Sequence, residues 1–347
     1  MLCFAGISLG HKGIKLITVL GVTGTQGGSV AKQFLTQAGW RVRGLTRDPN
    51  STKVKAWVEK GVEIVNGDLD DIESLKDAFQ GAHAIFAVTE WAANYARVSK
   101  DKMLQGRSLE EYAGDLETSQ GINVIRAASD PSILATLKRF VFSTLAVVRD
   151  ISGGNYKQSY EFDSKAAAER HMREELPEIR ARLSTVTMGI FQETWRAIPA
   201  FRPHKQLDGT FEYVRLAVPG GSHDANPEVV ATRDTGAFVE ALVLHQPAGT
   251  DVLGASEIVT KTDYAAIWGR TQGVKATVRD VSEEEYVKFI PEGFEATIMD
   301  DFKFFAEFGY TGGNPRVKTP AELGIKTTSL EEFFHGEDWS TVLKGDM

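Results

Sequence analysis

The 347-residue sequence predicts a doubly wound parallel α/β fold with a smaller, mainly helical C-terminal lobe. In the first half of the chain, apolar runs alternate with stretches of helical periodicity, which is typical of parallel strands joined by right-handed crossover helices. Most of the runs are almost continuously apolar, as expected of strands that are covered on both faces of a sheet. The first run ends in glycines, which indicates a specialised turn before the first helix.

Strands and helices can be assigned in chain order from these periods. The predicted strands are Lys15 to Val22, Trp40 to Thr46, Val62 to Val65, Ala84 to Val88, Arg139 to Ser143 and Ser184 to Met188. The predicted helices are Ser29 to Ala38, Lys53 to Lys60, Ile72 to Phe79, Leu109 to Ala128 and Phe162 to Glu175. After Gly189, prolines and glycines interrupt the pattern. One helix, Thr232 to Leu244, and one strand, Asp251 to Leu253, then return to the first domain.

The last third of the chain predicts a separate lobe packed over the sheet edge. A stripe at helical spacing there consists of Phe294, Ile298, Phe302 and Phe305. The neighbouring acidic pair, Asp300 and Asp301, is interpreted as a solvated helix face. The domain assignment is an N-terminal extension at 1–14, a dinucleotide-binding domain at 15–190 with returns near 228–256, and a smaller lobe at 191–227 and 257–347.

Composition narrows the class of protein. The 42% apolar and 25% charged residues are ordinary for a globular chain, and the net charge of −8 argues against broad nucleic-acid binding. No apolar run is long enough to cross a bilayer, and neither the histidines nor the single cysteine has metal-ligand spacing. Because the histidines and the cysteine lack this spacing, no metal site is expected. Met1 to Gly10 lacks the charged leader and cleavage site of a signal peptide, so a cytoplasmic protein is expected.

The segment ITVLGVTGTQGGSVAKQFL carries the strongest functional signal. Gly21 permits a tight turn, Gly24 lets backbone amides approach a pyrophosphate, and Gly27 allows the helix to pack closely on the strand. The helix N-terminus then offers free N–H donors to the anion. This strand–turn–helix context predicts a Rossmann-type dinucleotide site that includes Thr23 and Gln26, although glycines alone can also form a plain βα turn.

The end of the second strand predicts which dinucleotide binds. Sites for NAD usually place a carboxylate there, whereas this chain has Arg47, with Lys53 nearby. The planar arginine fork suits a 2′-phosphate, so NADP(H) is expected unless Arg47 is only a surface cation. Asp68 follows the third strand and either reaches the adenine edge or caps the Ile72 helix.

Five segments taken together resemble the NmrA-like proteins, which are atypical members of the short-chain dehydrogenase/reductase superfamily. The segments are VTGTQGGSV, TRDP, VFST, FDSKAAAE and EFGYTGG, in this order. The resemblance runs from about Lys15 to Phe334 and implies a Rossmann domain, NADP(H) binding and a small C-terminal substrate lobe.

The resemblance also indicates a departure from the ordinary catalytic pair. Typical short-chain dehydrogenases place a tyrosine four residues before a lysine, so that both side chains share one helix face. Lys165 matches the lysine, but Glu161 occupies the tyrosine position. Tyr160 and Tyr156 remain alternative proton donors. Lys165 is expected to bind the nicotinamide ribose and to act in catalysis by relaying a proton, although it could instead form a surface helix pair with Glu161 or Glu169.

Further site residues are expected where strands end at the cofactor edge. Thr89 and Ser143 are assigned to the cofactor. Substrate-binding candidates are Trp91, Thr144, Phe191 and Trp195. Each aromatic residue could equally serve core packing.

Two functions from different classes remain open. The first is an NADPH-dependent reductase that transfers hydride to a C=N, C=C or C=O bond of a small organic molecule. The second, implied by the resemblance, is a non-catalytic NADP(H)-binding redox sensor that regulates a transcription factor through protein–protein contact, which would also allow a nuclear location. Neither reading requires direct contact with nucleic acid or a membrane, and the oligomeric state is left open.

Overall fold

The computed structural model describes residues 13–101 and 106–346, so most of the predicted 1–14 extension lies outside the described residues. The strands are β1 Lys15–Val19, β2 Trp40–Thr46, β3 Glu63–Asn66, β4 Ala84–Ala87, β5 Arg139–Thr144, β6 Leu183–Met188, β7 Ile190–Phe191, β8 His204–Lys205, β9 Phe211–Leu216, β10 Ala225–Val229, β11 Asp251–Gly254, β12 Glu257–Thr260, β13 Ala276–Val281 and β14 Val317–Lys318. One parallel sheet has the order β14-β11-β6-β5-β4-β1-β2-β3. The order reverses between β1 and β4, which places a crevice at their carboxyl ends.

The helices connect and cover these strands. They are α1 Thr25–Leu35, α2 Thr52–Glu59, α3 Ile72–Phe79, α4 Trp91–Asp101, α5 Leu109–Ala128, α6 Pro131–Leu134, α7 Val148–Ile151, α8 Tyr160–Glu175, α9 Pro177–Arg180, α10 Ala231–Glu240, α11 Lys261–Gln272, α12 Glu283–Tyr286, α13 Glu295–Phe308, α14 Leu330–Gly336 and α15 Ser340–Lys344. Short 3₁₀ turns span Gln192–Arg196, Pro199–Phe201 and Val287–Phe289, and a π turn, Ala241–His245, extends α10.

Helices cover both faces of the large sheet, as the continuous apolar strands predict. Buried side chains of α1 and α10 pack on one face, and those of α3, α5 and α8 pack on the other. The α1–α10 crossing is close because Gly236 has no side chain: its N–H donates to Ser29 Oγ over 3.0 Å, and an added Cβ would lie 2.5 Å from the Ser29 carbonyl oxygen. The two hydrophobic layers hold the carboxyl ends of the strands at one edge.

The C-terminal lobe is helical but also contains two small sheets that the sequence does not predict. Their strand orders are β12-β10-β7 and β13-β9-β8. A core of aromatic side chains from β9, α11 and α14 joins the second sheet to the neighbouring helices. The strand β14 lies within the segment assigned to the lobe but extends the large sheet by pairing with β11.

Several element boundaries agree with the sequence, and two interpretations need correction. The bounds of β2, α3 and α5 match the predicted ones, whereas α4 was not predicted at all. The acidic pair on α13 is not a solvated face, because Asp301 is only 8% exposed. Asp300 accepts the backbone N–H groups of Lys157 and Gln158 at 2.9 and 2.8 Å and so connects α13 to the loop before α8.

Candidate active site

The glycine turn between β1 and α1 has the geometry of an open anion site. Gly21 has a φ of +64°, a conformation that L side chains rarely adopt. The N–H of Gly24 donates to the Gly21 carbonyl over 2.8 Å and closes the turn. A Cβ on Gly27 would lie 2.2 Å from that same oxygen, so only glycine allows α1 to approach the strand this closely.

The N-terminus of α1 is free to receive a phosphate. Gly24 is its N-cap and provides no side-chain cap, and its first turn contains no acidic residue. The N–H groups and the positive end of the helix dipole are therefore uncompensated. The Oε1 atom of Gln26 is buried there without a hydrogen-bond partner. The free N–H groups and the helix dipole fit the pyrophosphate of a dinucleotide, whereas the Gln26 oxygen is a hydrogen-bond acceptor and needs a donor.

The end of β2 presents two exposed cations, and the charge of one of them, Arg47, helps to lower the pKa of the Asp70 carboxyl group. Among the described residues, neither Arg47 nor Lys53 forms an ion pair, and both are exposed. The N-cap of α3 is Asp71, which accepts from the N–H groups of Glu73 and Ser74, so the interpretation of Asp68 as that cap is wrong. The Asp68 carboxylate instead accepts the N–H of Asp70 at 3.1 Å in the loop after β3.

Lys165 lies in the second turn of α8 and is buried rather than on a surface. Its Nζ atom is 2.7 Å from Oε1 of Glu117 on α5 and 3.4 Å from Oε1 of Glu161. Glu117 is itself fully buried and also accepts from the hydroxyl of Ser164. The surface pairing with Glu161 is thus only the longer of two contacts, and the main partner comes from another helix.

The electrostatics of this pair keep the lysine charged. Burial by itself would lower the pKa of Lys165, but the carboxylates of Glu117 and Glu161 outweigh it and raise that pKa. An ammonium has three N–H donors, and the two carboxylates occupy two of them. The third donor has no partner among the hydrogen bonds of the described residues.

Sequence reasoning missed Glu117, although a signal was present. The carboxylate lies one turn after Ala113 and one heptad before Val124, on the apolar stripe of α5. A charged residue in a buried stripe requires a partner of opposite charge. Only the packing of α5 against α8 identifies that partner as Lys165.

The predicted polar residues at the ends of β4 and β5 are buried beside this pair of helices. Thr89 is 4% exposed, and its Oγ1 has no partner. Its methyl group would lie 3.9 Å from a Cβ built on Gly121 of α5. Ser143 and Thr144 end β5, and Thr144 Oγ1 donates to the Leu145 carbonyl over 3.4 Å.

Neither alternative tyrosine donates its proton toward Lys165. The Tyr156 hydroxyl donates to Oε1 of Glu307 over 2.6 Å, and burial together with Glu307 raises its pKa. Tyr160 begins α8 and packs against Gly114 of α5, with its hydroxyl beside Ser108. Burial raises the pKa of Tyr160 as well.

Of the predicted aromatic wall residues, two belong to the packed core. Trp91 is 1% exposed, and its Nε1 donates to the Glu110 carbonyl over 3.1 Å. Trp195 stacks on Trp339 with ring centroids 4.1 Å apart. Both side chains are enclosed by their neighbours, so core packing accounts for them, and their substrate role stays a prediction. Phe191, in contrast, does line a cavity.

Over residues 13–101 and 106–346, no helix combines the length and apolar character needed to span a bilayer. The same part of the chain holds no group of three or more histidine, cysteine or acidic side chains placed to ligate a metal ion.

The parallel sheet with helices on both faces and the glycine turn after β1 define a Rossmann-type α/β protein. The chain belongs to the NmrA-like family, whose profile matches residues 14–334. It is 27% identical to the NmrA-like family domain-containing oxidoreductase hkm9 of Aspergillus hancockii, over 91% of this chain and 90% of that protein. It is 26% identical to the corresponding oxidoreductase FrzB of Cladobotryum sp, over 88% of each chain.

Solved structures show the same fold. NmrA, a negative transcriptional regulator, in complex with NADP superposes with a TM-score of 0.68 at 19% identity, covering 92% of this chain and 94% of that one. The NADPH-dependent quinone oxidoreductase QOR2 of Escherichia coli, complexed with NADPH, gives 0.63 at 18% identity, covering 92% and 99%. The confirmed predictions are the family and the α/β fold class.

Proposed function

We propose that this protein is an NADP(H)-dependent oxidoreductase that transfers hydride between the nicotinamide and a small organic molecule. The observation that carries the proposal is the placement of an open glycine turn and a buried, charged lysine at one edge of a parallel sheet. The names of the hkm9 and FrzB relatives, both oxidoreductases, support the class of activity.

The preference for NADP(H) over NAD(H) rests on the end of β2. Arg47 and Lys53 are exposed there, and neither forms an ion pair within 4.0 Å in the described part of the chain. A 2′-phosphate accepts charge-assisted hydrogen bonds from such groups, whereas a 2′-hydroxyl prefers a carboxylate acceptor. QOR2 was solved with NADPH, and NmrA with both NADP and NAD, so these neighbours support a nicotinamide dinucleotide, and the choice of NADP(H) depends on the end of β2.

The other site residues have separate roles in this proposal. The free N–H groups of α1 hold the pyrophosphate, and Gln26 contacts it only through the N–H donors of its side-chain amide. Lys165 donates its remaining N–H to a ribose hydroxyl, and Thr89 and Ser143 lie where β4 and β5 end beside the nicotinamide. The cofactor supplies the hydride, and these residues fix its direction relative to the acceptor.

The proposed chemistry does not use a tyrosine as the proton donor. The Tyr156 hydroxyl donates its hydrogen bond to Glu307, and Tyr160 packs against α5. An iminium is already electrophilic, and an enone can take its proton later from solvent. We therefore favour a C=N or conjugated C=C acceptor over an isolated ketone.

The test is a titration of purified protein with NADPH and NADH, followed by nicotinamide fluorescence, with and without imines, enones and ketones. Tighter NADPH binding, with oxidation in the presence of one acceptor class, is expected. Binding without oxidation across the panel would favour the alternative, an NADP(H)-binding sensor acting through a protein partner. Absence of binding of either dinucleotide would overturn both proposals.

A further inference from the structure

We propose that the open cleft between β9, β10 and α13 binds a flat, uncharged aromatic molecule through its carbonyl oxygens. The side chains of Tyr286, Asn226 and Lys261 supply the hydrogen-bond donors. The inference goes beyond the proposed oxidoreductase function, because this binding requires no dinucleotide.

The cleft is large enough for a small organic molecule. Its volume is about 410 Å³, within the range of roughly 300–1,000 Å³ that is usual for such sites. Gly221, His223 and Asp224 are exposed where they line it, so a ligand can enter from solvent. The void behind the cleft, beside Phe191, measures about 20 Å³; it has room for about one water molecule and is not part of the proposed site.

Three polar side chains that line the cleft lack a hydrogen-bond partner. In the described part of the chain, no hydrogen bond involves the Tyr286 hydroxyl, the Asn226 amide group or the Lys261 Nζ atom. Tyr286 is only 2% exposed. Polar groups buried to this degree normally have a partner, so the three donors indicate a place for a ligand with oxygen acceptors.

Strand pairing brings two of these donors together. The strands β10 and β12 are antiparallel, and Asn226 lies opposite Val259. Lys261 follows two residues after Val259, directly past the end of β12. Asn226 and Lys261 therefore reach the cleft from neighbouring strands, and a single carbonyl group has two lone pairs to accept from both.

The donor role of Lys261 does not depend on its charge. Its Nζ atom lies 4.9 Å from the ring centre of Tyr213 and 4.8 Å from that of Tyr264. Burial lowers the pKa of Lys261, and the carboxyl group of Glu228 opposes this shift. Both the amine and the ammonium form carry N–H groups, so either form can donate to a carbonyl oxygen.

The opposite side of the cleft is an aromatic wall. The ring centre of Phe302 lies 6.0 Å from that of Tyr286 and 5.5 Å from that of Phe305, both in edge-to-face contact. All three rings line the cleft, together with Leu216. A flat aromatic body can pack against such a wall while its oxygens face the donors.

The charges around the cleft favour an uncharged ligand. Arg215 donates to both carboxylate oxygens of Asp280, over 2.6 and 3.0 Å. Asp224 adds a second carboxylate, which matches Lys261 when the lysine is charged. Because the lysine and arginine that line the cleft are matched by two acids, the donors suit carbonyl oxygens rather than a carboxylate.

The aromatic wall also connects the cleft to the candidate active site. The ring centre of Phe305 lies 5.5 Å from that of Phe162 on α8 and 4.6 Å from that of Tyr310. The Tyr310 hydroxyl in turn donates to the carbonyl of Met188, at the end of β6, over 2.6 Å. A ligand packed on Phe305 therefore lies one aromatic layer from the helix that carries Lys165.

The test measures dissociation constants of coumarin and 1-indanone by NMR titration, beside 2H-chromene and indane, which lack the carbonyl oxygen. At least one carbonyl compound is expected to bind roughly tenfold more tightly than its analogue, because it gains two or three hydrogen bonds. Tyr286→Phe keeps the ring and should reduce this preference severalfold. Tyr112→Phe on α5, at a tyrosine outside the cleft, should leave the preference unchanged.

The outcomes separate this inference from the proposed function. Equal binding of the carbonyl compounds and their analogues, or an unchanged preference in folded Tyr286→Phe, would overturn the inference. Should Tyr286→Phe fail to fold, Asn226→Leu gives the same readout. The titrations contain no dinucleotide, so a failure of NADPH to bind would overturn the oxidoreductase and leave the carbonyl preference as evidence for the cleft.

Discussion

The Nζ atom of Lys165 lies 2.7 Å from Oε1 of Glu117, and this buried ion pair joins α8 to α5 on one face of the large sheet. Neither side chain has appreciable exposure, so each charge depends on the other for compensation. The pair fixes the direction of the lysine ammonium before any ligand arrives. It is therefore both a structural contact and a device that positions a candidate cofactor ligand.

The first prediction concerns the dependence of Lys165 on Glu117. Glu117→Leu leaves a buried ammonium with only the half-exposed Glu161 nearby, so the free energy of unfolding should fall by about 3 kcal/mol or more. Lys165→Met should cost less, because a lone Glu117 can take up a proton. The double variant Glu117→Leu/Lys165→Met should recover most of the loss. Urea unfolding gives the free energy of unfolding of wild type, the two single variants and the double variant. If the losses of the two single variants simply add in the double variant, Lys165 and Glu117 are not energetically coupled.

The second prediction separates two glycines of the turn. In Gly27→Ala the new methyl group would lie 2.2 Å from the Gly21 carbonyl oxygen, so α1 must shift and stability should fall by about 1–3 kcal/mol. In Gly24→Ala the corresponding distance is 3.3 Å, and thermal unfolding should change less. Both variants should lose dinucleotide affinity, one through a displaced helix and the other through a blocked approach. Unaltered NADPH fluorescence titrations in both would rule out the turn as the phosphate site.

The third prediction concerns the choice of dinucleotide. Arg47→Ala should weaken NADPH binding by roughly tenfold or more and leave NADH binding nearly unchanged, because only NADPH carries the 2′-phosphate. Arg41→Ala is the matched control, since Arg41 is also exposed on β2 but lies near its other end. Equal losses for both dinucleotides would assign Arg47 a role outside 2′-phosphate recognition.

The fourth prediction concerns the tyrosines. Tyr156→Phe removes a hydroxyl bonded to Glu307, and Tyr160→Phe removes one beside Ser108. Because neither hydroxyl is hydrogen-bonded to Lys165, each variant should retain turnover within severalfold of wild type on the best acceptor. A loss of a hundredfold or more in either variant, with NADPH affinity intact, would identify that tyrosine as the proton donor after all.

The fifth prediction is a pH dependence of stability from Glu228. Its pKa is raised from 4.5 to about 7 in the folded protein, mainly by burial, so the folded state holds a proton that the unfolded state has released between these values. Stability should therefore fall as pH rises from about 4.5 to 7 and level off above that, by about 3 kcal/mol. The groups that face Glu228 are Lys261, Gln192, Tyr213, Tyr264 and Tyr310.

The control for this dependence is Glu228→Gln, which keeps the hydrogen bond from Gln192 but cannot titrate. The difference in unfolding free energy between wild type and variant should follow the stated slope. A difference that is constant from pH 5 to 8 would mean that Glu228 titrates normally in the folded protein.

The local sequence pattern was sufficient to predict those features whose structure depends on residues close together in the chain. The bounds of β2, α3 and α5 follow from hydrophobic periodicity, and the glycine spacing is reflected in the left-handed Gly21 and the close approach at Gly27. The absence of a tyrosine four residues before Lys165 is also visible without any coordinates. Each of these features depends on a few consecutive residues.

Long-range packing decided the remaining parts of the site. Periodicity cannot distinguish Trp91 and Trp195, which are enclosed in core, from Phe191, which lines a cavity, because all three are aromatic residues after strands. The exposure of Asp301 was misjudged for the same reason: an acidic pair on a helix predicts solvent unless another element covers it.

The sequence by itself determined the parallel α/β order, the glycine turn, the cations at the end of β2 and the displaced tyrosine, since these depend on residue types at short spacing. Only the tertiary structure decided that Lys165 pairs with Glu117, 48 residues away, and that Lys261 lies over Tyr213 and Tyr264 beside Glu228. Burial and charge compensation arise between elements that are distant in the chain, so no local pattern specifies which partners meet.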